Sequence, residues 1–112
     1  MFPTLSQLIG DKAFEGSRET LEKRCGSAGI SCAVKYGPTP PNSSLFVRFE
    51  SSERIGEICA WESGDCEVQM ATFRQAEEIK GQHVRLRSSQ DFHGWLAKVF
   101  RYVADREFDF ER

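Results

Sequence analysis

No stretch of this 112-residue chain is apolar over the ~18 residues a membrane-spanning helix needs. The opening residues Met1-Phe2-Pro3-Thr4-Leu5 have neither a basic n-region nor a continuous apolar h-region. The reading is therefore a cytoplasmic protein with no signal peptide. A charge of one sign is also missing. Fifteen Lys and Arg stand against seventeen Asp and Glu, for a formal net charge of −2 and a pI near 5.7. That balance supports neither general nucleic-acid binding nor attachment to an anionic membrane. No phosphate loop of the Walker type and no Gly-rich dinucleotide fingerprint occurs. There are only two histidines, His83 and His93, and neither has a cysteine or carboxylate partner at a motif spacing. The four cysteines, Cys25, Cys32, Cys59 and Cys66, are separated by six, twenty-six and six residues. Zinc sites set paired ligands about two to four residues apart, so a metal is not expected. In a reducing compartment disulfides are not expected either, and the four thiols read as small hydrophobes. No catalytic residue, metal or cofactor is assigned. A cysteine–histidine pair assembled only by the fold is the enzymatic reading that remains.

What is present is the material of a core. Hydrophobic residues make up 39% of the chain and charged residues 29%, with nine Phe and two Trp. A chain of this size buries roughly 60–70% of the surface its unfolded state exposes, so one domain spanning 1–112 is expected.

The pattern along the chain gives an α+β fold. Residues 4–28 read as helix in two pieces, with Leu5, Leu8 and Ile9 before Gly10, then Phe14, Leu21, Cys25 and Ala28 at helical spacing. Ile30, Cys32, Val34 and Tyr36 alternate with Ser31, Ala33 and Lys35, which predicts a strand. Gly37-Pro38-Thr39-Pro40-Pro41-Asn42 cannot continue a ladder and must be loop. Leu45, Val47 and Phe49 alternate with Phe46, Arg48 and Glu50 as a second strand. Two further strands flank Trp61-Glu62-Ser63-Gly64-Asp65-Cys66. Phe73 to Gly81 is mixed, and residues 83–87 alternate as a last strand. Ser88 or Ser89 caps a C-terminal helix with Phe92, Trp95, Leu96, Val99, Phe100 and Val103 on one stripe. Burying that stripe contributes about 9–18 kcal/mol as an upper bound, so the helix must pack on one sheet face. The charged tail from Asp105 to Arg112 is expected to fray. Short connections favour a five-strand antiparallel meander with one covered and one open face.

Between residues 50 and 67 carboxylates crowd together: Glu50, Glu53, Glu57, Glu62, Asp65 and Glu67. They read either as a solvated sheet face or as an acidic patch that docks a basic partner. The direction of Trp61 depends on the turn. With a two-residue Ser63-Gly64 loop, Trp61 faces Cys66 and belongs to the core. With Glu62-Ser63-Gly64 as a type I turn and glycine bulge, Trp61 opposes Asp65 and joins Glu57 and Cys59 on the open face. The second register is preferred, because it buries Ile58 and exposes Glu57. An exposed aromatic among charges is a common interface anchor. The expected partner-binding set is thus Glu57, Trp61, Glu62, Asp65 and Glu67, with Phe46 and Glu50 on the same face. His83, Arg85 and Arg87, with Arg74 and Lys80, form a basic counterpart expected to pair with the acidic strands.

The segment Ser44 to Met70, centred on Arg54-Ile55-Gly56-Glu57-Ile58-Cys59-Ala60-Trp61-Glu62-Ser63-Gly64-Asp65-Cys66, resembles the TriTu group of bacterial immunity proteins. Their pattern is an apolar strand ending in Trp-Glu-Ser-Gly, an acidic residue or cysteine, and a second strand. A later strand and an amphipathic helix follow, as in Val84-Arg85-Leu86 and Phe92 to Val103. The likeness covers roughly the last two-thirds of the chain; residues 1–43 carry no signature. Gly56 and Ala60 stand where bulkier apolar residues are more usual. The resemblance implies a protein of polymorphic-toxin systems that binds and blocks a cognate toxin, such as a nuclease or another enzyme with a basic cleft. It offers no catalytic residues to transfer, and a monomer is favoured. The alternative is a secretion chaperone or adaptor, another small acidic α+β binder, which would dimerise and hold an effector segment.

Overall fold

The computed structural model describes residues 3–37, 42–73 and 80–104. Most of the Gly37–Asn42 loop, Arg74, the stretch 74–79 and the tail Asp105–Arg112 lie outside the described residues.

The chain opens with a π-helical segment, Ser6–Gly10. Thr4 and Gln7 start it with a reciprocal box: the Gln7 N–H donates to Thr4 Oγ1 at 3.1 Å and the Thr4 N–H to Gln7 Oε1 at 2.9 Å. Lys12, with φ of 57°, turns the chain into helix α1, Glu15–Ser27. Five strands follow: β1 Ser31–Tyr36, β2 Ser44–Glu50, β3 Arg54–Trp61, β4 Asp65–Thr72 and β5 Lys80–Arg85. They form one antiparallel sheet in the order β1-β2-β3-β4-β5. Helix α2, Ser89–Ala104, completes the fold. Its start is a second box: Ser88 Oγ accepts from the Asp91 N–H at 3.2 Å, and Asp91 accepts from the Arg87 N–H at 2.8 Å. Its end is held by Arg54, which donates to the Tyr102 carbonyl at 2.7 Å and stacks on the Tyr102 ring. The expected last strand at 83–87 is displaced: β5 begins at Lys80, and Leu86 is buried beyond its end.

One face of the sheet is closed. Leu45, Val47 and Phe49 from β2, Ile58 and Ala60 from β3, and Cys66, Val68 and Met70 from β4 are all buried. Phe92, Leu96, Val99, Tyr102 and Val103 of α2 are buried with them, joined by Leu8, Ile9, Phe14 and Cys25. Each such side chain contributes about 1.5–3 kcal/mol. Tyr102 was not in the expected stripe, and Trp95 and Phe100 are only half-buried. Gly56 has a physical reason. A Cβ there would lie 2.5 Å from Val99 Cγ1 and 3.0 Å from Val103 Cγ2. The missing side chain lets α2 settle onto β3.

Candidate functional site

The β3–β4 register fixes the direction of Trp61. Ala60 pairs with Cys66 and Cys59 with Glu67, which leaves Glu62-Ser63-Gly64 as the loop. The Gly64 N–H donates to the Trp61 carbonyl at 2.9 Å, and Gly64 has φ of 99°. This is the bulged turn, and it places Trp61 on the face opposite the helices. A side chain at Gly64 would also strike the Leu86 carbonyl, 2.7 Å from an ideal Cβ.

That open face is a lattice set by strand pairing. Glu50 lies beside Ile55, and Ile55 beside Ala71. The next row holds Ala33, Arg48, Glu57 and Gln69, and the one after it Lys35, Phe46, Cys59, Glu67 and His83. At the hairpin end Ser44 pairs with Trp61 and Asp65 with Arg85. Phe46, Ile55, Cys59 and Trp61 are each half-buried; Phe46, Cys59 and Trp61 form an apolar strip along β2 and β3, and the Arg48–Glu57 row separates Ile55 from it. Among the described residues no helix lies over it.

Six of the seven expected contact residues meet on this face: Phe46, Glu50, Glu57, Trp61, Asp65 and Glu67. Their acids are not a naked negative patch. Arg48 pairs with Glu50 at 3.1 Å and Glu57 at 3.7 Å. His83 Nδ1 lies 3.0 Å from Glu67, and its Nε2 lies 3.6 Å from Asp65. Arg85 reaches Asp65 at 3.2 Å. His83 and Arg85 of β5 thus pair across strands as expected of them. The face is an apolar strip rimmed by alternating charges. Cys59 lies on it as expected, with Arg48 beside Phe46 and Glu50; Lys35 and Ile55 also belong to it, and the period-two alternation of β1 and β3 was the signal that could have added them.

Glu62 is different, because its side chain turns away from the face. Its Oε2 accepts from the Ser43 N–H at 2.9 Å, and its carboxylate packs against Gly10. Its own N–H donates to the Ser43 carbonyl at 3.0 Å, and the Ser63 N–H to Asn42 Oδ1 at 3.2 Å. The Gly64 carbonyl accepts from the Leu86 N–H at 2.7 Å. The Trp-Glu-Ser-Gly corner therefore ties together the π-helical segment, the start of β2 and the exit from β5.

Nucleophilic chemistry has little to work with. All four cysteines are free thiols. Burial pushes Cys25 and Cys66 up to about 12, and raises Cys32 and Cys59. A protonated thiol is a poor nucleophile. Cys59 and His83 share a row but are two strands apart, with Glu67 between them taking the imidazole. His93 is half-buried and stacks on Phe14 at 6.2 Å. Among the described residues no group of three or more potential ligands could hold a metal.

The sequence model of the family described as Immunity protein TriTu matches residues 13–102. The chain belongs to the TriTu immunity protein family. The match takes in α1 and β1, so the family signature begins well before Ser44 and covers segments in which the sequence showed no likeness. No curated protein and no solved structure matches the chain. Among the described residues no helix is long and apolar enough to cross a membrane. In this TriTu chain the Trp61-Glu62-Ser63-Gly64 corner divides its work. Trp61 faces outward, and the other three build the corner that holds it.

Proposed function

We propose that this immunity protein neutralises a cognate bacterial toxin by stoichiometric binding, acting as one domain and without turnover. The open sheet face is the binding surface, and Trp61, Phe46 and Cys59 are its centre. The observation that carries the reading is this half-buried aromatic strip on a face over which no helix lies among the described residues, in a member of an immunity family. Aromatic side chains ringed by polar groups have the make-up of binding hot spots. Glu50, Glu57, Asp65 and Glu67 contribute by exchanging their internal partners for cations of the toxin, which suits an enzyme with a basic cleft. Such exchange steers encounter and selects the partner more than it adds affinity. Glu62 supports the surface from behind.

Co-expression with the cognate toxin domain tests this directly. The wild-type chain should restore growth and co-purify in a defined ratio. Trp61→Ala should weaken the complex by at least ~30-fold, the size of a hot-spot loss. Glu57→Lys with Glu67→Lys should slow association and flatten its salt dependence. Absence of a complex, or unchanged affinity in Trp61→Ala and Phe46→Ala alike, would remove the face from consideration.

A further inference from the structure

On the closed side of the sheet, α1 and α2 lie next to each other without closing their gap. At one end Phe14 meets Phe92 edge-on at 5.8 Å. At the other, the Arg24 guanidinium sits over the Phe100 ring at 5.7 Å. The N-terminal ends are therefore neighbours, and the helices run the same way. Between them is a groove of about 400 Å³. Its floor is apolar, made by Phe14, Leu21, Leu96 and Phe100. Its lips are short, with Gly16 and Ser17 on α1 and Ala97 on α2. Arg24 and Arg101, each in the last turn of its helix, stand at the same end.

We propose that this groove docks an amphipathic helix of a partner protein, laid antiparallel to α1 and α2, with Asp or Glu in its first turn facing Arg24 and Arg101. The walls run from Gly16 to Arg24 and from His93 to Arg101, which is roughly 12 Å or about two turns on each side. Short lips permit the interaxial approach of about 8–10 Å at which helices pack. The floor offers a row of large apolar side chains for an i, i+3, i+4, i+7 stripe. Direction follows from the dipoles. Two C-terminal ends lie together at the arginine end, and the N-terminus of a third helix is the complementary pole. Acidic residues favour that N-terminus, and the two guanidinium groups favour acidic residues there. The site lies on the opposite side of the sheet from Trp61 and stands independently of toxin binding at the open face.

The test uses the full chain and two lactam-bridged helical peptides of about fourteen residues, long enough to hold a helix. Both carry the same leucine stripe; one has Asp and Glu in its first turn and the other has Lys at those positions. In two-dimensional NMR of the nitrogen-15-labelled chain, the acidic peptide should move the resonances of Thr20 and Ala97 and leave those of Glu67 and Gln69 in place. It should bind about tenfold tighter than the lysine peptide at low ionic strength. Arg24→Glu with Arg101→Glu should invert that preference. Ala97→Trp, which fills the groove from an exposed position, should abolish binding. Equal affinity for the two peptides, shifts confined to the open face, binding that survives Ala97→Trp, or no shift with either peptide would each overturn the proposal.

Discussion

Two phenylalanines on one strand state the contrast between the faces of this sheet. Phe49 is fully buried, packs edge-on against Phe100 at 5.5 Å and sits under the helices. Phe46, three residues earlier, is half-buried on the other side, between Lys35 and Cys59. The closed face is apolar at its centre, with Arg54 at its margin against Tyr102, and α2 excludes solvent from it. The open face mixes an aromatic strip with ion pairs that stay wet. The first face has been selected for packing. The second keeps large side chains partly in water, and it is on this exposure that the proposed partner-binding role rests.

The largest expected difference is between those two residues. Phe49→Ala should cost about 3–5 kcal/mol in chemical denaturation, the usual cost of emptying an aromatic core site. Phe46→Ala should stay within about 1 kcal/mol, because its site is already half-solvated. Comparable losses would mean that the two faces are not energetically distinct. Next in size is Gly56→Ala. Its new Cβ would press on Val99 Cγ1, and overpacking of that kind costs about 1–3 kcal/mol. Val99→Ala should relieve the clash, so the double variant should be more stable than the sum of the two single effects predicts. Strict additivity would show that α2 does not rest on this glycine.

Much of this was legible in the sequence, and the reason is periodicity. Leu45, Val47 and Phe49 against Phe46, Arg48 and Glu50 could only be a two-sided strand. The stripe from Phe92 to Val103 could only be a helix with a face to bury. The turn at Ser63-Gly64 left two registers, and burial of Ile58 favoured the one found. Other features depend on distance across the fold, which spacing does not encode. Gly56 stood out only as small; its purpose is the approach of Val99, forty-three residues later. Glu62 sits in a row of acids and looks like one more surface charge, yet its partner is the backbone of Ser43. The acidic patch and its basic counterpart at His83 and Arg85 were both visible, but which acid each of them and Arg48 meets depends on the register of four strands. The α1–α2 groove was not visible at all, because it is made by two helices failing to touch.

Glu62 and Glu67 sharpen the comparison on a smaller scale. Glu62→Ala leaves the Ser43 N–H without its carboxylate at a half-buried corner and should cost about 1–2 kcal/mol. Glu62→Gln keeps an acceptor oxygen and should recover part of that loss. Glu67→Ala removes an exposed pairing with His83 and should change stability by about 0–1 kcal/mol. Thermal unfolding of the three variants ranks them. If Glu67→Ala proved the more damaging, the division of the motif region into supporting and displayed acids would fail.

The smallest expected effect concerns His93, half-enclosed on the closed side beside Phe14 and Phe92. Burial lowers its pKa below the ordinary 6.5. The unfolded chain therefore takes up a proton at that position before the folded chain does. Its contribution to stability is full above about pH 6.5 and is lost as the pH falls through the interval down to the folded value. His93→Phe keeps a ring against Phe14 and removes the titration. Subtracting its unfolding free energy from that of the wild-type chain at each pH cancels the carboxylates, which titrate in both. The difference should be level between pH 7 and 8 and turn against the wild type on acidification to pH 5.5. A difference that stays flat would place the imidazole in water, and with it would go the view of this side of the sheet as a dry one.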